Sequence, residues 1–570
     1  MPPKPVNASE PEPTKILADP KPVRRLMTAA VVVSFMTNLL ALVQPVFMLH
    51  VYDYVLSSQS RSTLFWLLVI ALFLIVVLSA LDFLRGRLMA QVALEIDRQV
   101  REKAFLGSYA RALAQRQFGR SSFSGDLDTV RGFLAGPGAT ALMDLPWTPI
   151  FIVVLFMLSP ILGFIAIFFS ILVALAVFAT SGSGRRLARQ GLAQNMRAQR
   201  MAEDIFQAAD AVESMGFAKN ALGRWAATSR QAAETSNIAA AQGGVTSSSV
   251  KGLRISLQIL SLGVAAWLVL DGKVTAGAMF AASIIGARAL GPIDQVVSAW
   301  RSLQAARLSW ANLAELVREH DAHTVERTEL PPPDGALKIE NVAVTNGAKT
   351  VALIQGVSLE TPAGAFIGVV GPSGSGKTTL ARAVAGAVPI AGGAVRIDGA
   401  DTRQWERDKL GKHIGYLPQS VHLMQGSVAE QIRRYGPPDD EGVIEAAKRA
   451  GAHDMITKLP KGYDSEVGDA GGFLSGGQRA RLGLARALYG DPQIIILDEP
   501  FAHLDSEGEA TTWNVLRDAK KRGKTVMLVS HRPSELVGFD FVVVMLGGKL
   551  ARFGPVKEIL PSITTPAAAS

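Results

Sequence analysis

Long apolar runs separated by polar stretches fill the first half of the chain. The runs lie at residues 26–51, 63–84, 138–158, 161–181, 248–270 and 275–293. Each is close to the roughly 20 helical residues that cross the ~30 Å hydrocarbon core of a bilayer. The last two are rich in Ala, Gly and Ser and give the weaker signal. The pattern predicts six membrane-spanning helices, with bends at Pro45, Pro146 and Pro149.

The stretches between the runs differ in length and charge. Those at 53–62, 159–160 and 271–274 are short, whereas the second and fourth are long and basic. The second includes Arg85 and Arg120, and the fourth includes Arg185 and Arg230. Because Lys- and Arg-rich loops remain in the cytoplasm, we expect both long stretches and both chain termini to be cytoplasmic.

The two long basic stretches are also rich in helix-forming residues. This composition predicts membrane helices that project into the cytoplasm and transmit movement from a motor domain. Independent soluble hairpins are the alternative.

The pattern changes after the sixth run. An amphipathic helix is predicted at 301–319, and three prolines follow at 331–333. From Leu337 onward, short apolar strands alternate with helical segments, as in an α/β domain. We therefore expect a disordered tail at 1–20, a transmembrane domain at 21–320, a linker at 321–336, an α/β domain at 337–560 and a flexible tail at 561–570.

Composition supports a membrane protein. The 570 residues are 49% hydrophobic and 19% charged, whereas soluble proteins average about 25% charged residues. The net charge of +9 raises the alternative of nucleic-acid binding. We expect no nucleic-acid partner, because the basic residues of the first half lie mostly between apolar runs. The chain has no cysteine, which excludes disulfides, thiolate nucleophiles and Cys-ligated zinc.

Two charged residues, Asp144 and Arg288, lie inside predicted spans. Charges at this depth are costly and tend to face a bundle interior or a water-filled path. The alternative is that the span boundaries are displaced by a turn, so that both residues lie near an interface. The sequence leaves both interpretations open.

A phosphate-binding loop is predicted at residues 371–378, GPSGSGKT. It follows the apolar strand AFIGVV and opens a helix, which is the context that the motif requires. Lys377 is expected to reach the β- and γ-phosphates of ATP, and Thr378 to ligate Mg²⁺. The candidate ATP-binding residues here are Gly371, Pro372, Ser373, Gly374, Ser375, Gly376, Lys377, Thr378 and Thr379.

Two carboxylates end the apolar run IIILDEP at residues 494–500. Asp498 suits Mg²⁺ and Glu499 is suited to polarise the attacking water, as in a Walker-B motif. A strand that ends in a solvated acidic turn is the alternative, which the upstream phosphate-binding loop disfavours.

The segment LSGGQ at residues 474–478 resembles the signature of the ATP-binding-cassette proteins. The resemblance implies that Ser475, Gly476, Gly477 and Gln478 contact ATP bound to the other subunit of a homodimer. A serine and free N–H groups at a helix N-terminus are a suitable anion site.

Other cassette elements are similar. Gln419 in GYLPQ resembles the Q-loop glutamine that senses Mg²⁺, and His531 in VSHRPS resembles the switch histidine that steadies the γ-phosphate. Asp505 resembles the aspartate at the dimer seam. The resemblance implies catalytic roles for Glu499, His531 and Gln419. The usual adenine-stacking aromatic is missing from residues 342–347, so we expect an apolar contact such as Val351.

Five further segments resemble the type I secretion ATPases for proteases, lipases and S-layer proteins. They are residues 40–60, 144–164, 287–313, 397–419 and 484–509. The resemblance implies a six-helix all-α transmembrane domain, as in type IV ABC exporters, followed by an α/β ATPase domain. It also implies ATP-driven export of an unfolded protein with an uncleaved C-terminal signal.

The same resemblance implies partners and a location. A homodimer in the lipid bilayer of the bacterial inner membrane would join a periplasmic membrane fusion (adaptor) protein and a TolC-like outer-membrane channel. Because the first span starts at Leu26 and no cysteine is present, we expect no leader-peptide cleavage.

Three alternatives differ in class. A lipid flippase or small-molecule exporter would act without an adaptor, and an ATP-gated channel would not need fast hydrolysis. Intact Glu499 and His531 argue against such a channel. A soluble ATPase with a buried helical bundle is disfavoured by the length and spacing of the apolar runs.

Overall fold

The computed structural model describes residues 16–115, 123–323, 330–346, 351–468, 473–502, 504 and 506–564. Contacts divide the chain into two compact units. The helical unit comprises Met1–Ser108 and Ser122–His320, and the α/β unit comprises Tyr109–Ser121 and Asp321–Ser570.

Twelve helices are described in the first part of the chain. They are α1 Pro20–Leu40, α2 Val43–His50, α3 Leu56–Ser58, α4 Arg61–Gln115, α5 Phe123–Leu134, α6 Pro137–Asp144, α7 Trp147–Leu158, α8 Pro160–Gln207, α9 Ala209–Ser214, α10 Ala218–Leu270, α11 Ala276–Ser298 and α12 Trp300–His323. A π-helical turn, Val51–Val55, joins α2 to α3.

All six predicted spans are helical. Among the described residues, four helical segments are long and apolar enough to cross a membrane: Pro20–Ser58, Arg61–Leu113, Ala218–Leu270 and Ala276–Ser298. The third predicted span is the pair α6 and α7, bent by 46°. The fourth predicted span begins α8, where the described apolar stretch Pro160–Leu175 is shorter.

Prolines mark the breaks, although not all as bends within one helix. The 46° bend lies between Asp144 and Trp147, where Pro146 stands. Pro45 and Pro149 lie in the first turns of α2 and α7, where a missing backbone N–H costs no helical hydrogen bond. The first predicted span is therefore interrupted before Pro45 rather than kinked at it.

Three helices are much longer than a bilayer is thick. Helices α4, α8 and α10 have 55, 48 and 53 residues, which corresponds to roughly 70–80 Å at 1.5 Å per residue. Each therefore continues well beyond the hydrocarbon, as predicted for the long basic stretches.

Small residues explain the weak apolar signal of the sixth span. The buried face of α11 includes Ala278, Ala281, Ala282, Gly286 and Ala289. Helices with small residues at their interface approach each other closely and gain dispersion contacts. On this face of the helix, low hydropathy reflects close packing.

The described residues of the α/β unit form ten strands and eight α-helices. They are β1 Leu337–Thr345, β2 Ala352–Thr361, β3 Phe366–Val370, α13 Lys377–Val384, β4 Gly392–Ile397, β5 Ala400–Asp401, α14 Arg407–Leu410, β6 Ile414–Leu417, α15 Val428–Ile432, α16 Asp440–Arg449, α17 His453–Thr457, α18 Gly476–Leu488, β7 Ile494–Asp498, α19 Ser506–Lys521, β8 Thr525–Val529, β9 Phe541–Leu546, β10 Lys549–Pro555 and α20 Val556–Thr564.

The strands form two sheets. One has the order β2-β1-β4-β5 and is antiparallel. The other has the order β10-β9-β3-β8-β7-β6, with β9 to β6 parallel and β10 antiparallel at the edge. Strands β3, β7 and β8 are buried at every residue, because helices or the second sheet cover both faces. Ligands bind beyond the carboxyl ends of such strands, so a ligand site is expected at this edge of the sheet.

The Pro-rich linker predicted before β1 is anchored at its end. Asp398, in the turn between β4 and β5, accepts hydrogen bonds from the backbone N–H groups of Asp334 at 2.7 Å, Gly335 at 3.1 Å and Ala336 at 2.8 Å. The entry to the α/β unit is therefore fixed to the antiparallel sheet.

Candidate active site

The phosphate-binding loop connects β3 to α13. Gly371 has φ +153° and Gly376 has φ +97°, a region that favours glycine. A Cβ at Gly371 would lie 2.2 Å from the carbonyl oxygen of Met545. Glycine at these positions lets the backbone fold tightly enough to present its N–H groups to an anion.

Lys377 begins α13 and extends back into the loop. Its Nζ donates hydrogen bonds to the carbonyl oxygens of Gly371 at 2.8 Å and Pro372 at 2.9 Å. Burial lowers the pKa of Lys377, while the negative charges of Glu499 and Asp498 oppose that shift. The ammonium group therefore lies within the loop where phosphates are expected.

Thr378 and Asp498 meet across the sheet edge. The Thr378 hydroxyl donates a hydrogen bond of 3.1 Å to Oδ1 of Asp498. Asp498 is 1% exposed, and burial raises the pKa of its carboxyl. Its Oδ2 is buried and has no hydrogen-bond partner. A buried carboxylate oxygen left unpaired beside a hydroxyl fits a hard cation such as Mg²⁺.

The described residues include no group of three or more His, Cys, Asp or Glu side chains suited to hold a metal. This is compatible with Mg²⁺, which commonly takes one or two protein ligands and completes its shell with phosphates and water. Thr378 and Asp498 would be those ligands. Gln419, whose resemblance to the Q-loop glutamine implies contact with Mg²⁺, donates a hydrogen bond to Glu499.

Glu499 contacts the two other predicted catalytic residues. Gln419 Nε2 donates to its Oε2 at 2.9 Å, and His531 Nε2 lies 2.6 Å from its Oε1. These residues follow β7, β6 and β8, which are neighbours in the parallel sheet. Glu499 also has φ +53°, an uncommon conformation for a non-glycine residue. The sheet thus brings together three side chains that are far apart in the sequence.

The turn that carries His531 has supports that the sequence analysis missed. Ser530 Oγ accepts a hydrogen bond from the backbone N–H of Arg532 at 2.8 Å and donates to Glu535 Oε2 at 2.5 Å. Ser530 is 3% exposed. The serine precedes the predicted histidine directly, but only the turn geometry reveals its contribution.

The signature residues form the start of α18. Ser475 is the N-cap and makes a capping box with Gln478: Gln478 Oε1 accepts from the Ser475 N–H at 2.8 Å, and Ser475 Oγ accepts from the Gln478 N–H at 3.2 Å. Gly476 and Gly477 fill the first turn. In the described structure, no hydrogen bond of Ser475 or Gln478 reaches the phosphate-binding loop of its own chain.

Asp505 and Val351 are the two remaining predicted nucleotide contacts. Asp505 lies outside the described residues. Val351 is 56% exposed at the turn between β1 and β2, whereas Val342 and Val344 are fully buried. Val351 is therefore accessible to a ligand, and the two β1 valines are not.

Asp144 is neutralised within the helical unit. Arg85 Nη1 donates to both of its carboxylate oxygens at 2.8 and 2.9 Å. Ser34 and Asn38 donate to Oδ1 at 2.7 and 2.6 Å. Arg85, which the sequence analysis counted among the residues of a cytoplasmic loop, is 9% exposed and joins α1, α4 and α6 through these contacts. Asp144 therefore belongs to the bundle interior.

Two family models match the chain. The ABC transporter transmembrane region matches residues 27–287, and the ABC transporter model matches residues 354–502. A solved structure of a bacterial Atm1-family ABC exporter with ATP bound has a TM-score of 0.77 over 95% of this chain and 97% of that one, at 21% identity. The fold and the site thus define an ATP-binding-cassette exporter, which confirms the predicted fold class.

Similar proteins of known type indicate which group of ABC exporters the chain resembles. The type I secretion system ATP-binding protein PrsD of Rhizobium meliloti is 37% identical over 96% of this chain and 95% of its own length. The alpha-hemolysin translocation ATP-binding protein HlyB of Escherichia coli and the leukotoxin translocation ATP-binding protein LktB of Mannheimia glucosida are 29% and 28% identical, each over 94% of this chain and 76% of their own length.

The chain belongs to the type I secretion system ATP-binding proteins. The predicted resemblance is therefore confirmed. The protein is a multi-pass membrane ATPase that binds nucleotide and works with partner proteins.

Proposed function

We propose that this protein is the ATP-hydrolysing inner-membrane component of a type I secretion system. Its cargo would be an unfolded protein with an uncleaved C-terminal signal, such as a protease, a lipase or an S-layer protein. The observation that carries the proposal is the 37% identity to PrsD over nearly the full length of both chains. The identity extends through the transmembrane half as well as the ATPase half. Similarity of the ATPase half alone would not distinguish one class of exporter from another.

The contacts of the site support separate roles for its residues in ATP hydrolysis. Lys377 and the glycine-rich loop would bind the β- and γ-phosphates, with Gly371, Pro372, Ser373, Gly374, Ser375, Gly376 and Thr379 forming its wall. Thr378 and Asp498 would hold Mg²⁺, which supplies charge neutralisation to the phosphates when bound. Glu499 would orient and deprotonate the attacking water, with Gln419 and His531 positioning its carboxylate.

A homodimer is favoured by the signature residues. Ser475, Gly476, Gly477 and Gln478 present a helix N-terminus, where backbone N–H groups and the helix dipole attract an anion. Their own capping bonds do not reach the phosphate-binding loop of the same chain. A second copy would bring this helix to the first copy's ATP, with Asp505 at the seam, and every predicted role is present in the single chain.

The proposed location follows from charge. The basic stretches would keep both termini and the projecting parts of α4, α8 and α10 on the cytoplasmic side. The short turns around Ser57 and Asp271 would then face the periplasm. There, a membrane fusion protein and a TolC-like outer-membrane channel would complete a path to the cell exterior.

The test is the steady-state ATPase activity of the full-length protein reconstituted in lipid. The probes are C-terminal fragments of secreted glycine-rich-repeat proteins encoded in the same genome neighbourhood. A saturable change in turnover with one fragment is expected, and the Glu499→Gln variant supplies the background rate. A fragment with its C-terminal signal removed is the matched control and should have no effect.

The same assay distinguishes protein export from lipid or small-molecule export. If no fragment changes turnover while lipids or small amphiphiles stimulate it strongly, protein export is wrong. The ATPase assignment would be unaffected, because it depends on the α/β unit alone.

A further inference from the structure

Three aspartates in or next to the membrane helices have polar partners within the chain. Asp144 binds Arg85, and Asp294 on α11 lies 3.8 Å from Arg254 on α10. Asp53 accepts hydrogen bonds from Thr275 Oγ1 at 2.6 Å and from the Gly277 N–H at 2.8 Å. These contacts offset the cost of placing charge in or near hydrocarbon.

Arg288 differs from them. It lies twelve residues after Ala276, at about 18 Å along α11, and is therefore deep within a hydrocarbon core of ~30 Å. Its side chain is exposed. In the described part of the chain, no acidic side chain lies within ion-pair distance of it. An exposed guanidinium at this depth is tolerated when it faces water or an external partner.

The open face of α11 has an unusual composition. Its exposed or half-buried residues recur at helical spacing: Ile284, Ala287, Arg288, Gly291, Gln295 and Ser298. The opposite face of the helix is packed with buried small residues. Apart from the half-buried Ile284, the open face therefore presents small and polar groups, with one cation, along more than three turns.

Helix α4 shows what a lipid-facing surface of this protein contains. Only 6% of its apolar window is buried, and Phe65, Leu72, Phe73 and Val76 are each more than half exposed. The corresponding window of α11 is 56% buried. Because none of the large apolar side chains of α11 is exposed in this way, its open face is unsuited to lipid and suited to a water-filled path.

We propose that Arg288 lines the export path and binds acidic segments of the unfolded cargo as they pass. This inference rests on the proposed export of a polypeptide. The guanidinium carries five N–H donors and can bind a carboxylate through two parallel hydrogen bonds. Aspartate and glutamate side chains of an extended chain would reach it in turn.

A single partly solvated ion pair also suits translocation. Such a pair is weak, because water and salt compete with it. An acidic segment would therefore be retained briefly and released, whereas several cations in a row would trap it. Arg288 would bias passage toward acidic segments without blocking neutral ones.

The first experiment uses the absence of native cysteine. Ala287→Cys places one thiol beside Arg288, in the full-length protein in zwitterionic proteoliposomes. Two unstructured bromoacetyl peptides are compared, one with six aspartates and one with asparagines in their place. We expect the acidic peptide to alkylate the cysteine roughly fivefold faster, the ratio that one partly solvated ion pair supports. Leu72→Cys on α4 is the lipid-facing control and should react slowly with both peptides.

The second set of variants isolates the charge. Adding Arg288→Gln to Ala287→Cys should bring the ratio of the two rates close to one, and Arg288→Lys should preserve it. Lys251→Gln, which removes an exposed cation from α10, should leave the ratio unchanged. Rates with iodoacetamide correct for any change in thiol reactivity. Equal rates for both peptides in the Arg288 protein would overturn the inference.

The outcomes separate this inference from the proposed function. If neither peptide alkylates the Ala287→Cys protein while iodoacetamide does, polypeptide export itself is contradicted. If both peptides react but at the same rate, export stands and the role of Arg288 is wrong. If the effect of Arg288→Gln appears only with phosphatidylglycerol in the vesicles and not with peptide charge, the guanidinium binds lipid headgroups and the inference fails.

Discussion

Asp498 and Glu499 are adjacent in the chain but have different surroundings. Asp498 is buried, and one of its oxygens has no partner. The Glu499 carboxylate is held from both sides by Gln419 and His531. The strand geometry causes the difference, because β7 ends at Asp498 and the chain turns at Glu499 with φ +53°. Asp498 thus has an oxygen open to a cation, whereas both oxygens of Glu499 are held by neighbouring side chains.

Glu499→Gln should abolish turnover while nucleotide still binds. Glutamine keeps the shape of the side chain but cannot accept a proton, and loss of a general base typically costs about 10²–10⁴-fold in rate. The ATP-bound dimer should accumulate and be visible by size-exclusion chromatography. Glu507→Gln, an exposed change on α19, is the control. Undiminished turnover would show that Glu499 is not the activating carboxylate.

Mg²⁺ dependence should change with pH in a direction set by Asp498. Burial raises the pKa of this carboxyl, an effect that the Thr378 hydrogen bond partly opposes. Protons therefore compete with Mg²⁺ at a higher pH than they would at an exposed aspartate. The Mg²⁺ concentration for half-maximal ATPase activity should stay constant above that pKa and rise as pH falls through it.

The comparison is the Mg²⁺ affinity of ATP alone, measured in the same buffers. A half-maximal Mg²⁺ concentration that follows free ATP at every pH would contradict the role of Asp498.

At the scale of elements, the Arg85–Asp144 pair joins three helices. Its side chains are 11% and 14% exposed, and Ala30, Met89 and Ala139 form an apolar cluster on the same helices α1, α4 and α6. Arg85 also binds Asp82 at 2.7 Å, but that carboxylate is 58% exposed. Loss of Asp144 would leave the arginine with this exposed partner alone, and breaking a buried pair is costly.

Asp144→Ala should therefore lower stability by on the order of 2–3 kcal/mol, measured as a lower melting temperature in detergent. Arg85→Asp combined with Asp144→Arg should recover part of the loss, which separates charge pairing from packing. Arg131→Ala breaks an exposed pair, with 43% and 62% exposed side chains, and should have little effect. Equal melting temperatures for Asp144→Ala and Arg131→Ala would contradict a structural role for the buried pair.

At the scale of the whole molecule, the proposed topology can be tested with single cysteines in a chain that has none. Ser57→Cys lies in α3, beyond the first predicted span at 26–51, and Ser214→Cys lies in α9 between two long helices; both positions are exposed. A membrane-impermeant maleimide should label the first in intact spheroplasts and the second only after lysis. The reverse pattern would overturn the orientation.

Linear motifs made much of the cassette predictable. Residues 371–379, Gln419, Asp498, Glu499 and His531 follow apolar strands in the sequence, and parallel strands bring such positions to one sheet edge. The structure brings the loop lysine close to both carboxylates, and the glutamine and histidine into contact with Glu499, as that argument requires.

The long-range polar contacts were not predictable in the same way. Arg85 and Asp144 are 59 residues apart, and one arginine among many in a basic stretch carries no local signal of burial. Asp53 reaches Gly277 across 224 residues for the same reason. Both contacts depend on which helices pack together, and apolar periodicity does not specify that.

The position of Arg85 along α4 has a mechanical consequence. The helix runs from Arg61 to Gln115, so about 36 Å lies before Arg85 and about 45 Å after it at 1.5 Å per residue. If α4 pivots as a rigid rod at Arg85, its Arg61 end moves about four-fifths as far as its Gln115 end. A movement of one end would therefore be transmitted to the other with little amplification or reduction. The opening on one side of the membrane would nearly equal the displacement produced on the other side.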